Sequence, residues 1–133
     1  MEGAMPVKIL IVDDSVTVRI VLKRLLTNVM DLPDLRISEA GSGLDGLAQM
    51  RAERPDLVLA DLNMDQMTGM EMIERMRRDP ALASIPVAVI SSEGNQGVTD
   101  ALSLNGVCAF IRKPFDLGTL SELLPKVLAA TAG

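Results

Sequence analysis

The chain predicts a doubly wound α/β domain on a five-stranded parallel sheet, and two observations carry that expectation. Short apolar runs alternate with amphipathic stretches from Val7 to Leu128, without a linker, repeat or low-complexity segment. Three of the runs, Val7 to Val12 (VKILIV), Leu57 to Ala60 (LVLA) and Val107 to Ile111 (VCAFI), end in charge: Asp13 and Asp14, Asp61, and Lys113. Runs this short and apolar, bounded by turn or helix-start signals, read as buried parallel strands. Ligand sites in open α/β sheets lie just past the carboxyl ends of such strands.

Each element follows from local patterning. After the first strand, Ser15 can cap a helix whose apolar residues Val18, Val21, Leu22, Leu25 and Val29 form one inward stripe. Asp31 to Asp34 makes a turn, and Leu35 to Ala40 a short second strand. A second helix places Leu44, Leu47 and Ala48 inward and stops at Arg54-Pro55-Asp56, before the third strand. Asp61 to Gly69 is a polar, methionine-containing loop, and Met70 to Arg78 a third helix halted by Asp79-Pro80. The fourth strand spans Ile85 to Ile90, with Pro86 tolerated near its start. The helix from Gln96 to Asn105 is the weakest, since Gly97, Thr99, Ser103 and Asn105 lower its propensity. A last helix buries Leu117, Leu120, Leu123, Leu124, Val127 and Leu128, and Pro125 should kink it. Right-handed crossovers leave few topologies, and the order 2-1-3-4-5, one of the common doubly wound orders, makes strands 1 and 3 neighbours. Asp13, Asp14 and Asp61 then meet at one edge of the sheet.

Composition narrows the function. At 133 residues the expectation is a single domain, 1–133, with its core over about 7–128, large enough to fold without staples. One cysteine excludes an internal disulfide, and Cys108, inside an apolar run, reads as a small core thiol. The lack of a disulfide framework fits a cytoplasmic protein, and neither a signal peptide nor a spanning segment is visible. A net charge of −5 argues against direct nucleic-acid binding. Nine methionines read as core filler and loop residues.

Three carboxylates crowded into a cleft repel one another unless a cation is present, and a hard divalent ion resolves the conflict. Mg2+ suits because it takes one or two carboxylates and keeps waters for phosphate oxygens. The same neutralisation makes Asp61 usable as a nucleophile toward phosphorus. Lys113 can hold a further phosphoryl oxygen, and Ser91 offers a hydroxyl at the same sheet edge. Taken singly, Asp13-Asp14-Ser15 is an ordinary helix start, Asp61 a turn residue and Lys113 a loop lysine. Their weight lies in compatible chemistry at four strand ends at once.

These stretches resemble the receiver domain of bacterial response regulators, over about Val7 to Leu128. KILIVDDS covers the first strand, PDLVLADLNMDQMTG surrounds Asp61, VISSEG follows the fourth strand and FIRKPF the fifth. The resemblance implies a flavodoxin-like fold and a signalling phosphoacceptor, not an enzyme, with intrinsic self-phosphorylation and self-dephosphorylation chemistry. Asp61 would take a phosphoryl group from a histidine kinase, a phosphotransfer protein or a small phosphodonor. By the same resemblance Asp14 and Asp61 bind Mg2+ through side chains, Asn63 through its carbonyl and Asp13 through water. Ser91 and Lys113 would hold the phosphoryl oxygens. Phe110 would swing inward as Ser91 moves, switching the face of helix 4, strand 5 and helix 5 toward a downstream protein. Asn63 and Glu93 would tune hydrolysis, and the Lys113-Pro114 bond would be cis. The protein would act in the cytoplasm as a monomer or a phosphorylation-dependent dimer.

Three positions depart from the family pattern. Asp65 stands where proline commonly follows the methionine at position 64, adding a negative charge near the metal site. Phe110 replaces the commoner tyrosine, so no hydroxyl can report the rotamer, and Ser92 replaces a small apolar residue. Other readings compete. Gly41-Ser42-Gly43-Leu44-Asp45-Gly46 matches the dinucleotide fingerprint G-x-G-x-x-G, but it follows the second strand and leaves Asp13, Asp14, Ser91 and Lys113 unexplained. An aspartyl phosphatase would want D-x-D after the first strand, which Asp13-Asp14-Ser15 does not supply. Within the same fold, the chain could be a receiver cut from a larger regulator or a phosphate sink. The absence of an appended output domain leans toward a chemotaxis-like, single-domain role.

Overall fold

The computed structural model describes residues 7–30, 34–64, 66–92, 96–113 and 117–132. Along them strands and helices alternate: β1 (Val7–Val12), α1 (Val16–Met30), β2 (Leu35–Ala40), α2 (Gly43–Ala52), β3 (Leu57–Ala60), α3 (Gly69–Arg78), β4 (Val87–Ser91), α4 (Gln96–Leu104), β5 (Val107–Arg112) and α5 (Leu117–Ala132). The strands form one parallel sheet in the order β2-β1-β3-β4-β5, as expected. No helix among the described residues is long and apolar enough to cross a membrane.

The sheet is covered on both faces because successive side chains leave opposite sides of a strand. Ile9, Ile11, Leu57, Leu59, Ala88, Ile90 and Ile111 meet Leu22 and Leu26 of α1 and Leu120 and Val127 of α5. Leu10, Val12, Val58, Ala60, Val87 and Val89 meet Leu47 and Met50 of α2, Met72, Ile73 and Met76 of α3 and Leu102 of α4. Met50, Met64, Met67, Met72 and Met76 are buried, the core-filling role expected of them.

Several local expectations need correction. On α1 the fully buried residues are Leu22 and Leu26, flanked by half-buried Val18 and Leu25, while Val21 is turned to solvent. Adjacent apolar residues at 21 and 22 and at 25 and 26 let a helical pattern be drawn one position off. On α2 the inward stripe is Gly43, Gly46, Leu47 and Met50, and Leu44 and Ala48 face outward. Gly46 is inward because it packs against Val12, with no room to spare for a larger residue. Cys108 is exposed, and the cause is a register shift: Val87 pairs with Val107 but Ala88 with Ala109, so Cys108 is the extra residue of a bulge. Its thiol donates to the Val87 carbonyl at 3.2 Å. β2 and β5 are edge strands and only part-buried. β4 starts at Val87 rather than Ile85, after Pro86, and ends at Ser91. Pro125 lies inside α5, where its missing amide removes one helical hydrogen bond. The side chains of Val29, Leu117, Leu124 and Leu128 lie outside the described residues.

Candidate functional site

Asp13 and Asp61 are placed by the sheet itself. Val12 of β1 is in register with Ala60 of β3, so the residue that follows each projects from the same edge. The ladder continues one step past the strands: the Asp61 amide donates to the Val12 carbonyl at 3.0 Å, and the Asp13 amide to the Ala40 carbonyl at 3.1 Å. β5 reaches the same edge through β4, where the Lys113 amide donates to the Ser91 carbonyl at 3.0 Å.

The side chains then converge. Lys113 Nζ lies 3.0 Å from Asp61 Oδ2 and 3.4 Å from Asp13 Oδ2. Both carboxylates are buried, while the ammonium keeps partial contact with solvent. Their second oxygens shape the loops: Asp13 Oδ1 accepts from the Ser15 amide at 2.9 Å, and Asp61 Oδ1 from the Asn63 amide at 3.1 Å. Ser15 Oγ accepts from the Val18 amide, the expected cap of α1. Ser91 is fully buried as the last residue of β4. Asp14 and Asn63 are exposed, and Phe110 is half-buried against the α2–α4 side of the core. Asp65, Glu93 and Pro114, and with Pro114 the expected cis bond, lie outside the described residues.

The electrostatics are those of two carboxylates sharing one cation. Burial raises the Asp13 carboxyl above its ordinary value, and the charge of Asp61 adds to the rise. The Ser15 amide and Lys113 oppose this without cancelling it. Burial alone would depress Lys113, but its hydrogen bond to Asp61 and the charges of Asp13 and Asp61 outweigh it, and its pKa is raised. The ammonium is thus held in its charged form between the two acids.

The donor set fits a hard divalent cation. Two buried carboxylates face each other across one ammonium, and Mg2+ is held by one or two carboxylates plus water. Among the described residues no three acidic side chains gather into a metal cluster by themselves: Asp13 and Asp61 are buried, whereas Asp14 is exposed.

Two features of the loop that carries Asp61 were not expected from the sequence. Gly69, the first residue of α3, packs on the Asp61 backbone so closely that a β-carbon would overlap the Asp61 carbonyl oxygen and approach Leu62 Cα within 2.8 Å. No sequence signal marks such an approach. The second was legible: Thr68-Gly69-Met70-Glu71 spells a capping box, and Thr68 Oγ1 accepts from the Glu71 amide while Glu71 Oε1 accepts from the Thr68 amide. Hydrogen bonding from the Thr68 amide, and then from its side chain, lowers the Glu71 carboxyl pKa. Thr68→Ala is expected to cost about 1 kcal/mol of stability, measured by urea denaturation.

Known proteins share this sequence pattern and this fold. The family model described as the response regulator receiver domain matches residues 9–125. The chain belongs to that family. It is 37% identical over 120 residues to the chemotaxis protein CheY-3 of Vibrio cholerae, a match spanning 90% of each chain. It is 35% identical over 106 residues to the cyclic di-GMP phosphodiesterase response regulator RpfG of Xanthomonas campestris, 80% of this receiver but 28% of that protein. Among solved structures, chemotaxis protein CheY4 of Vibrio cholerae superposes with a TM-score of 0.82 at 26% identity, covering 92% of this chain and 99% of that one. The response regulator domain of Thermotoga maritima CheB superposes at 0.78 and 27% identity, covering 97% and 98%. Receivers of this kind generally bind Mg2+ at the acidic site and exchange signals with kinases or phosphotransfer proteins and with downstream targets.

Proposed function

We propose that this receiver accepts a phosphoryl group on Asp61 and passes the signal on by binding a protein partner. The observation that carries the reading is the convergence of Asp13, Asp61 and Lys113 at the carboxyl edge of β1, β3 and β5. An Asp61 carboxylate oxygen attacks phosphorus, an Asp61 O–P bond forms, and the bond to the donor histidine nitrogen or acyl oxygen breaks. Lys113 then turns from the carboxylates to a phosphoryl oxygen, a compact charge for a compact anion. Asp14 and Asp61 would hold Mg2+ through their side chains, with Asn63 offering its carbonyl and Asp13 a water-mediated contact, and the bound ion would supply positive charge to the incoming oxygens.

Ser91 binds a second phosphoryl oxygen, and Phe110 fills the space that its movement opens. The face of α4, β5 and α5 reads this out. α4 is suited to moving, because Leu102 alone of its nine residues is fully buried and little packing resists its displacement. Asn63 and Glu93 set the lifetime of the phosphoryl group. The kinase or phosphotransfer protein and the target meet the receiver in the cytoplasm, as a monomer or a phosphorylation-dependent dimer.

Intact mass after incubation with acetyl phosphate tests the reading. One phosphoryl adduct is expected with Mg2+, none with EDTA, and none in Asp61→Asn under either condition. A folded protein that takes no adduct in Mg2+ would refute it.

A further inference from the structure

We infer that Arg19 is a positioning residue for the acidic loop, clamping the Asp13 carbonyl to the edge strand β2. The inference rests on the phosphoacceptor reading only for its consequence, not for its geometry. The β1–β2 ladder ends at Val12 and Ala40, and the Asp13 carbonyl lies beyond it. Arg19, one turn into α1, sends Nη1 to that carbonyl at 2.5 Å. Its Nε meets Glu39 Oε1 on β2 at 3.1 Å. Glu39 is itself fixed: its carbonyl accepts from Gln49 Nε2 of α2 at 2.7 Å, and its second carboxylate oxygen lies 3.7 Å from Lys23 Nζ. A chain of contacts therefore runs from α2 through β2 and α1 to the peptide joining Asp13 and Asp14.

A partly exposed ion pair alone would contribute little. Its value is directional, because the planar guanidinium offers two donors at a fixed angle, one for each acceptor. The Arg19 side chain is only 15% exposed, so the fork is held by its surroundings as well as by its partners. The peptide it pins has Asp13 on one side and Asp14 on the other. Asp13 is also tied through its amide to Ala40 and through its carboxylate to Ser15 and Lys113, but its carbonyl, the start of the peptide to Asp14, is held by Arg19. Freed from Arg19, that peptide can rotate, and both carboxylates lose a fixed spacing from Asp61.

Charge and position predict opposite signs, which makes the test decisive. If Arg19 acted as a cation near an acidic site, removing it would tighten Mg2+ binding and Arg19→Lys would resemble wild type. If it acts as a clamp, both Arg19→Ala and Arg19→Lys weaken Mg2+ binding, since a single ammonium cannot serve both acceptors. Glu39→Gln, which keeps an acceptor for Nε, should stay close to wild type, whereas Glu39→Ala should follow Arg19→Ala.

Two measurements on the whole unphosphorylated protein read this out: Mg2+ affinity by calorimetric titration, and hydrogen exchange at the Asp14 amide. Arg19→Ala and Arg19→Lys are expected to weaken Mg2+ about fivefold and to speed Asp14 exchange at least as much, the ordering of a single contact being worth about 1 kcal/mol. In acetyl phosphate assays the Mg2+ concentration for half-maximal labelling should rise with little change in the maximal rate. Unchanged exchange and affinity in Arg19→Ala, or tighter Mg2+ binding, would overturn the inference. A wild-type protein that neither binds Mg2+ nor takes a phosphoryl group would instead refute the phosphoacceptor reading, and the exchange measurement would still decide the clamp.

Discussion

Replacing Lys113 with alanine is expected to destabilise the protein at neutral pH, to reverse part of the loss at mild acidity, and to make stability strongly dependent on Mg2+. The ammonium is the cation seen to bridge Asp13 and Asp61, whose side chains are 3% and 8% exposed. Removing one partner of a buried pair costs about 3–5 kcal/mol; Lys113 keeps 20% of its surface in solvent, so about 2 kcal/mol is expected here. The sign of the pH effect follows from the carboxyl groups. Burial already raises Asp13, and loss of Lys113 takes away part of what opposes the rise, leaving only the Ser15 amide against it. A carboxyl group raised in the folded state destabilises it above its ordinary pKa, increasingly until the folded value is passed. The deficit of Lys113→Ala should therefore grow as pH climbs from about 4 toward neutrality. In wild type the raised Lys113 works the other way at the alkaline end: its stabilisation is full below about pH 10.4 and fades as pH rises through the folded value. Mg2+ should recover most of the Lys113→Ala loss by neutralising the same two acids, an effect of about 2.7 kcal/mol at a hundred times Kd. Thermal melts at pH 5 and pH 7.5, with EDTA or Mg2+, measure all of this. Equal deficits in the four conditions would mean that Lys113 does not act through the acid pair.

Range along the chain decides what the sequence makes legible. The strands are visible because parallel, two-sided burial leaves continuous apolar runs, and the same runs put Asp13, Asp61, Ser91 and Lys113 at one edge once the order is chosen. Contacts between neighbours in sequence, such as the Ser15 cap and the Thr68 capping box, are also written locally, although the second is easily overlooked inside a polar loop. Errors arise where two adjacent residues are equally apolar, as at Val21 and Leu22, since periodicity cannot choose between registers one residue apart. Cys108 is misplaced by a bulge, which shifts a strand's facing without changing its composition. Arg19 gives no signal because Glu39 lies twenty positions away and its other acceptor is a backbone oxygen, which has no letter in the sequence.

Gly69 belongs to that last class, and its substitution is the second large effect expected. Gly43 and Gly69 are each the first residue of a helix, so alanine at either gains the same helix preference, about 1 kcal/mol at an interior position and less at an end. Their surroundings differ in kind. A β-carbon at 43 would meet Met67 Sδ at 2.8 Å, Cγ at 3.0 Å and Cβ at 3.2 Å, one unbranched side chain whose outer atoms can turn aside while its Cβ gives by a few tenths of an ångström. At 69 it would meet the Asp61 carbonyl and Leu62 Cα, which are backbone atoms. Those atoms cannot yield without moving Asp61, which is fixed to β1 through its amide and to Lys113 through its carboxylate. Nor can Gly69 easily retreat, because its amide donates to the Leu62 carbonyl at 3.0 Å and Thr68 caps the helix behind it. Gly69→Ala is therefore expected to lose about 2–3 kcal/mol, the upper part of the range for overpacking a filled site. Because the displaced atoms carry the nucleophile, its labelling by acetyl phosphate should fall by at least tenfold, a displacement of ~1 Å being enough for about a hundredfold. Gly43→Ala should stay within about 1 kcal/mol of wild type and label normally. Urea denaturation and time-resolved intact mass on the two variants separate the cases. If Gly69→Ala matches Gly43→Ala in both, the loop yields without moving Asp61, and the close approach at Gly69 does not hold the nucleophile.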